Sequence, residues 1–273
     1  MKLDNLSFLP IVFLGVAVSY AGSPAAVMTE APLAQVRPMS TDRPDTTESA
    51  YTVPAGMFQM EAGFFDYERD ASSGSRTETS TWGQINFKAG LTDSMDLQLV
   101  FDSYQEVRTS TAGSTLRQSG FGDVILRLKK NLWGNDAGRS AFALMPYVSI
   151  PTGTELSANA WRGGLIAPFA YELSDRLAFG AMGQMDMVHD AETQGYDLQW
   201  LASATLGLAV TDRAGMYFEA VAAAGEDVDF IALFNTGVTY AVTDNLVFDA
   251  GVRIGLNRPA PDFGIFSGVS FRF

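Results

Sequence analysis

The stretch FGIFSGVSFRF, residues 263–273, decides the fold class. Apolar side chains occupy every second position apart from Ser267, which gives an extended strand one apolar face. The members of that face are Ile265, Val269, Phe271 and Phe273. Phe273 is the last residue of the chain, and a terminal aromatic residue on an alternating strand is the feature that outer-membrane assembly machinery reads. We therefore expect Phe271 and Phe273 to form an assembly signal.

The same period of two recurs along the chain. Polar and apolar residues alternate in Asp96, Leu97, Gln98 and Leu99, and again along residues 124–129 and 246–254. Short turns containing an aspartate separate such segments, at Leu91-Thr92-Asp93, Leu173-Ser174-Asp175, Val210-Thr211-Asp212 and Val242-Thr243-Asp244. The repeating unit is a β-hairpin. About twelve strands from residue 57 onward, the fourth at 118–130, predict an all-β, transmembrane antiparallel up-and-down β-barrel.

Composition restricts the class of protein. Hydrophobic residues make up 47% of the chain and mean hydropathy is +0.07, yet after the N-terminus no apolar run has the length of a membrane helix. A barrel resolves this, because its lipid-facing residues occupy alternate positions. A soluble β-sandwich is the alternative, but its outward polar positions seldom mix so many Gly and Ala on both faces. The net charge of −13 argues against a nucleic-acid partner, which needs a basic surface.

The N-terminus predicts export. Lys2 precedes a short apolar run that ends in small residues, as in a secretory signal. An N-terminal membrane anchor is the alternative, but the run is too short to span a membrane. Because the chain has no cysteine and no metal-ligand cluster, we predict neither a metal site nor a cofactor. The predicted domains are a signal peptide (1–21), a periplasmic N-terminal segment (22–56) and an outer-membrane β-barrel (57–273).

The motif TDRPDTTES, residues 41–49, stands before the first predicted strand and is followed by Val53, Pro54, Gly56, Gln59 and Glu61. In this motif, and in the hairpin pattern of the remaining chain, the protein resembles the outer-membrane family named "Putative MetA-pathway of phenol degradation", whose members are often called simply transporters. The resemblance implies a barrel that passes small hydrophobic or aromatic molecules. It does not imply an enzyme activity.

We expect the motif to fold into the periplasmic mouth of the barrel. Arg43 would then pair with a lumen carboxylate such as Glu61, and the acids would meet Lys88 or Arg253, since charges inside a barrel persist when paired. A solvated linker and an assembly determinant are the alternatives, and a calcium site lacks the required glycine and bidentate glutamate. The candidates for the lumen or constriction are Asp42, Arg43, Asp45, Glu48, Glu61, Lys88, Asp102, Arg127, Asp249 and Arg253.

Strand alternation predicts the wider lining of the lumen. The inward charged residues would be Glu61, Asp96, Asp102, Asp123, Asp186, Glu219, Asp249, Lys88, Arg127, Lys129, Arg253 and Arg272. Their signs nearly balance, which favours a paired network over a charge-selective ring. The inward aromatic residues would be Phe65, Tyr67, Tyr104, Phe121, Tyr147, Tyr217 and Phe266. They would form either an aromatic path or the packing of a narrow lumen.

Three functions fit these observations. The first is passive transport of a small hydrophobic or aromatic solute through the lumen or a lateral opening, with outer-membrane lipids and the assembly machinery as further partners. The second is a structural or surface-interaction barrel with a plugged lumen. The third is an outer-membrane lipid hydrolase, for which His189 is the only histidine and Ser203 a possible partner on the next strand.

Overall fold

The computed structural model describes residues 36–72, 74–191, 193–226 and 228–273. The predicted signal peptide (1–21) and the first part of the predicted periplasmic segment lie outside the described residues. Within the described residues, no helix has the length and apolar character needed to cross a membrane.

The described residues form thirteen β-strands. They are β1 (Phe58–Ser72), β2 (Ser75–Thr92), β3 (Met95–Thr111), β4 (Ser114–Gly120), β5 (Val124–Trp133), β6 (Ser140–Ile150), β7 (Arg162–Ser174), β8 (Leu177–His189), β9 (Tyr196–Ala209), β10 (Ala214–Gly225), β11 (Ile231–Thr243), β12 (Leu246–Gly255) and β13 (Phe263–Arg272).

The strands form a closed antiparallel barrel. β1 pairs with both β2 and β13, and β2 pairs with β3, so that the sheet has no open end. β4 and β5 share one place, because β4 pairs with residues 105–111 of β3 and β5 pairs with residues 95–100. The barrel therefore has twelve strand positions, which confirms the predicted fold. The predicted fourth strand, 118–130, is two strands interrupted at residues 121–123.

Polar side chains face the interior and apolar side chains face outward. Lys88, Lys129 and Glu219 are each 2% exposed or less, whereas Leu97 and Leu99 are 37% and 38% exposed. A soluble protein would show the reverse, but hydrocarbon outside the barrel accommodates outward leucines. The soluble β-sandwich does not fit this distribution.

Aromatic side chains cluster where the barrel closes at its periplasmic end. Phe58 and Phe273 exchange two backbone hydrogen bonds of 2.9 Å, and their rings stack at 5.9 Å. Phe87 and Phe271 extend the cluster, with ring separations of 5.7 Å from Phe58 and 5.8 Å from Phe273. Such a girdle is typical of a membrane interface. The assembly role of Phe271 and Phe273 stays a prediction.

Strand alternation is interrupted in neighbouring strands of one side of the wall. The register of β1 shifts between Gly63 and Phe65, Gly83 of β2 has a φ of +63°, and residues 121–123 separate β4 from β5. A Cβ on Gly83 would lie 3.0 Å from the Ser103 side chain, so this position is also tightly packed. An extra residue in a strand moves the side chains beyond it to the opposite face.

These irregularities correct part of the predicted aromatic lining. Phe65, Tyr67 and Tyr104 lie on the outer face and not in the lumen. The ring centroid of Trp82, which is 39% exposed, is 5.7 Å from the centroids of both Phe65 and Tyr104. Tyr67 stacks beside Phe65. Asp66 takes an inward position instead and bonds Arg253.

The prediction that Phe121 lines the lumen is also wrong. Phe121 lies between β4 and β5, and its ring centroid is 5.7 Å from that of Phe101. Tyr217 and Phe266 do face inward and are 4% and 5% exposed. Tyr147 packs against an interior apolar cluster, as alternation predicts.

We predict that Leu99→Arg destabilises the barrel by about 2 kcal/mol, because it places a cation in hydrocarbon. Gln84→Arg should stay within about 1 kcal/mol of wild type, since Gln84 faces the interior opposite Asp102. Urea unfolding of the refolded protein in lipid vesicles measures both free energies. Equal losses in the two variants would show that the assignment of faces is wrong.

Candidate functional site

The N-terminal part of the described chain lies inside the barrel. Residues 39–53, here called the lumen segment, have no regular secondary structure, and most of them are less than 9% exposed. A buried backbone without helix or ladder must find other partners for its N–H groups. Inside a membrane barrel these partners have to come from the protein. Side chains of the strands supply them, so a solvated linker does not describe residues 39–53.

Glu61 of β1 binds the backbone near the start of the lumen segment. Its carboxylate accepts hydrogen bonds from the backbone N–H of Asp42 at 2.9 and 3.0 Å and of Arg43 at 3.0 Å. The amide of Gln59 donates to it at 2.9 Å, and the ammonium group of Lys88 completes its shell. Glu61 is therefore a fixed acceptor for two consecutive backbone donors. The Arg43 to Pro44 peptide bond that follows is cis.

Glu219 of β10 repeats this arrangement on the next part of the segment. It accepts the backbone N–H of Thr46 at 2.9 Å, and both the N–H and the hydroxyl of Thr47 at 2.7 Å. Asn235 of β11 donates to the same carboxylate at 2.7 Å. Further along, the N–H of Val53 donates to Asp96 of β3 at 2.9 Å. Three strand carboxylates thus hold the segment by its backbone.

Arg43 forms a bidentate ion pair with Asp249 of β12. Nε donates to Oδ2 at 3.0 Å and Nη2 donates to Oδ1 at 2.7 Å, and the two side chains are 7% and 2% exposed. Two glycines make room for the guanidinium group. A Cβ on Gly268 would lie 2.5 Å from Nη2 of Arg43, and a Cβ on Gly63 would lie 3.2 Å from Nη1. The predicted partner, Glu61, binds the backbone of Arg43 and not its side chain.

The acids of the motif meet cations of β2 and β5. Asp42 lies between Lys88 and Lys129, with its Oδ1 2.7 Å from the ammonium group of Lys129. Burial alone would raise the pKa of Asp42, but Lys129 and Lys88 outweigh it and hold the pKa below its ordinary value. Glu48 pairs with Arg127 at 2.8 Å. Because every one of these charges is buried, each needs its partner.

A second set of contacts closes the periplasmic mouth beneath the segment. Arg37 donates to the backbone oxygens of Asp93 at 2.8 Å and Thr52 at 3.3 Å, and it pairs with Asp136 at 2.6 Å. Arg272 donates to the backbone oxygen of Arg37 at 2.7 Å. Arg37, which lies just before the lumen segment, therefore links it to periplasmic turns of the barrel.

An apolar sector lines the interior along β6 to β11. Its buried members are Met145, Ile166, Met182, Leu201, Val221, Ile231, Leu233 and Ala260. The lumen segment reaches it from below, where the N–H of Glu48 contacts the sulfur of Met182 at 3.3 Å. Ala260 reaches it from the loop between β12 and β13. The sector is thus covered by the protein itself.

The interruption of the fourth strand position leaves a break in the wall. The last pair between β3 and β5 is at Val100, and the first between β3 and β4 is at Gln105, so residues 101–104 have no ladder partner on this side. We call residues 101–104 and 121–123 the wall break.

The loop between β6 and β7, residues 151–161, binds residues 121–123 of the wall break. Hydroxyl groups of Thr152 and Thr154 donate to the backbone oxygens of Gly122 and Phe121, the former at 3.0 Å. The carboxylate of Asp123 accepts the N–H of Thr152 at 3.2 Å and that of Ala158 at 3.1 Å. Side-chain hydrogen bonds therefore join residues 121–123 to the chain that follows β6.

A family model described as "Putative MetA-pathway of phenol degradation" matches residues 41–273, which include the whole TDRPDTTES motif and all thirteen strands. The chain belongs to this family. The match begins within the lumen segment and includes the whole motif, whose residues are buried inside the barrel.

Solved structures of other proteins have a fold similar to that of this chain. The COG4313 outer membrane channel from Pseudomonas putida F1 is similar with a TM-score of 0.66 at 15% identity, covering 82% of this chain and 98% of that chain. The translocator domain of the autotransporter NalP from Neisseria meningitidis gives a TM-score of 0.50 at 12% identity, covering 80% and 89%. The protein is thus a barrel of the bacterial outer membrane. No curated protein matches with significant sequence similarity.

The TDRPDTTES motif brings most of the predicted site residues together. One network around the lumen segment contains Asp42, Arg43, Glu48, Glu61, Lys88, Arg127 and Asp249. Asp45 is 1% exposed within the segment. Asp102 lies outside this network, and Arg253 pairs with Asp66. Lys129 and Glu219 also bind the lumen segment. They were not among the residues predicted for the lumen or constriction, although strand alternation places both of them inward.

The predicted hydrolase pair is not brought together. Ser203 is 6% exposed and shares a hydrogen bond of 2.7 Å with the hydroxyl of Thr47. Ser203 pairs with Met182 on β8, whereas His189 lies seven residues further along that strand, roughly 23 Å away at the rise of a β-strand. His189 contacts the ring of Tyr196 instead.

We predict that Arg43→Ala releases the lumen segment, because it leaves the buried carboxylate of Asp249 without a cation. Breaking such a pair costs about 3 kcal/mol, which should raise the open population at least tenfold. Glutamyl endopeptidase would then cut after Glu48 at least tenfold faster than in wild type, as measured by mass spectrometry of the released peptide.

Arg69→Ala is the matched control, since Arg69 is exposed on β1 and has no contact with the segment. It should be cut at the wild-type rate. Equal rates in Arg43→Ala and wild type would show that the pair with Asp249 does not hold the segment.

Proposed function

We propose that the protein is a passive outer-membrane channel for small hydrophobic or aromatic molecules, and that solutes pass between lumen and lipid through the wall break. The observation that carries this proposal is the missing ladder between residues 101–104 of β3 and the fourth strand position. The similarity of the fold to an outer membrane channel supports it. The direction of flux follows the concentration gradient of the solute.

The axial route through the periplasmic mouth is filled. Along it, the side chains of Asp42, Thr47 and Glu48 are 0 to 3% exposed, and each bonds a strand residue. A solute on this route would have to separate buried ion pairs, each costing several kcal/mol. A hydrophobic solute offers no compensating polar contact.

The lateral route requires less. Residues 101–104 and 121–123 share no ladder hydrogen bond across the wall break, and the bonds that Thr152 and Thr154 donate to residues 121 and 122 are neutral contacts of about 1 kcal/mol each. The outer half of the lumen is reached by solvent, since Gln184 and Asp186 are only half-buried. A hydrophobic molecule that leaves through the break enters hydrocarbon, which favours it by transfer energy.

The proposal needs no catalysis and no energy source. The groups that would form a hydrolase are apart, and the carboxylates of the lumen serve as partners for backbone donors and cations. The proposed role is therefore passage of the solute and not its chemical conversion.

A reversible lock on the wall break tests the proposal. Gly122→Cys with Thr152→Cys places two thiols where a hydroxyl now bonds the Gly122 backbone, in a chain without other cysteines. Cells that lack other hydrocarbon channels would express the variant, and uptake of radiolabelled toluene would be measured at low concentration. We predict an uptake at least fivefold lower in the oxidised form, restored by reduction.

Thr111→Cys with Ser114→Cys is the control, because these hydroxyls are 2.8 Å apart at the tip of the β3–β4 hairpin and outside the wall break. Oxidation there should leave uptake unchanged. Unchanged uptake in the oxidised Gly122/Thr152 variant would overturn the lateral route.

A plugged structural barrel is the second candidate, favoured by the buried network around the lumen segment. Wild-type expression would then fail to raise toluene uptake above that of cells without the protein.

A further inference from the structure

We infer that Asp102 is a specificity-determining residue at the wall break, which makes the channel prefer aromatic solutes with a hydrogen-bond donor or a positive charge over aromatic carboxylates. This inference rests on the proposed function. It goes further by naming the chemistry that the passage selects.

Asp102 lies where the wall is incomplete. It pairs with Gln84 of β2 on one side and has no ladder partner on the other. On that open side, a Cβ on Gly122 would lie 3.8 Å from Oδ2 of Asp102 and would meet nothing else within 4 Å. A carboxylate oxygen therefore faces a position without a side chain.

Asp102 also has no cation partner, in contrast to several other interior carboxylates. Asp66, Asp123 and Asp249 each pair with an arginine, and Glu61 pairs with Lys88. Among the described residues, Asp102 forms no ion pair within 4.0 Å, although it is half-buried at membrane depth. A carboxylate in such surroundings gains from a donor or a cation supplied by a ligand.

Aromatic rings surround the same gap on the lipid side. Phe121 packs 5.7 Å from Phe101, and Tyr104 packs 5.7 Å from Trp82, with Tyr104 and Trp82 40% and 39% exposed. Aromatic side chains of this kind bind a ring by stacking or edge contacts. A solute in the break would thus place its ring among these residues and its polar group toward Asp102.

The Asp102 carboxylate and the aromatic rings on the lipid side together determine which solutes are preferred. An amine or a hydroxyl group on the ring would donate to Asp102, whereas a carboxylate would meet a like charge without a neighbouring cation. A ring without a polar group would be bound by the aromatic residues alone. The order of preference should be amine, then alcohol, then carboxylate.

Fluorescence quenching at Trp82 tests this order directly. In a background with Trp133, Trp161 and Trp200 changed to Phe, the probes would be 4-bromobenzylamine, 4-bromobenzyl alcohol and 4-bromobenzoate, whose bromine quenches a nearby indole. For each probe the apparent affinity is compared between the background and Asp102→Asn, so that partitioning into detergent cancels. We expect the amine to bind about tenfold more weakly in Asp102→Asn and the benzoate to bind more strongly.

Two further variants separate selection from a structural effect. Asp102→Glu retains the charge and should keep the preference for the amine. Asp70→Asn removes the same charge from β1 near its outer end, where Asp70 pairs with Thr77, and should change no affinity. Heat-modifiable mobility on a gel verifies that each variant is folded.

Equal responses of all three probes to Asp102→Asn, or the same response in Asp70→Asn, would overturn the inference. Its failure is distinguishable from failure of the channel, because quenching reports binding and toluene uptake reports transport. Normal toluene uptake without an amine preference would refute the role of Asp102 alone. Absent toluene uptake would refute the proposed function.

Discussion

Glu61 and Glu219 stand four places apart in the barrel wall, and each accepts hydrogen bonds from two consecutive backbone amides of the lumen segment. A segment without regular structure at membrane depth has no water to satisfy its N–H groups, so these acceptors determine where it lies. The ion pairs of the motif follow from this placement. With the backbone fixed, Arg43 reaches Asp249 and Asp42 reaches Lys129.

The two ends of the lumen are consequently built in different ways. Toward the periplasm, buried charges are matched with partners and the interior is filled. Further outward, the strand ladder is interrupted, and loop side chains bind the residues on one side of the break. The strongest interactions thus close the axial path, whereas the weakest part of the wall faces the lipid. For a hydrophobic solute this contrast favours a route through the side of the barrel.

Much of the fold could be predicted because its constraints are local. A lipid-facing strand must alternate, and a hairpin joins neighbours in sequence, so strand number and order follow from the period of two. The same period placed Glu61, Lys88 and Asp249 in the interior correctly. It failed beyond Gly63, since a register shift reverses every later position and left Phe65 and Tyr67 on the wrong face.

The pairing inside the lumen was less predictable for a different reason. Arg43 and Asp249 are 206 positions apart, and several inward carboxylates satisfied the same sequence criteria. Glu61 was the expected partner of the guanidinium group, but its oxygens are occupied by backbone amides, which no side-chain pattern indicates. The wall break was missed because residues 118–130 continue to alternate on both sides of it.

Hydrogen exchange of individual amides tests the central claim most directly. In the folded protein in detergent, the amides of Asp42, Arg43, Thr46 and Thr47 should be as protected as those of the strands. Glu219→Leu should accelerate exchange at Thr46 and Thr47 more than at Asp42 and Arg43, because Glu61 still holds the latter two. If these four amides exchange in wild type as fast as those of the hairpin turns at Gly74 and Gly113, the strand carboxylates do not hold the segment.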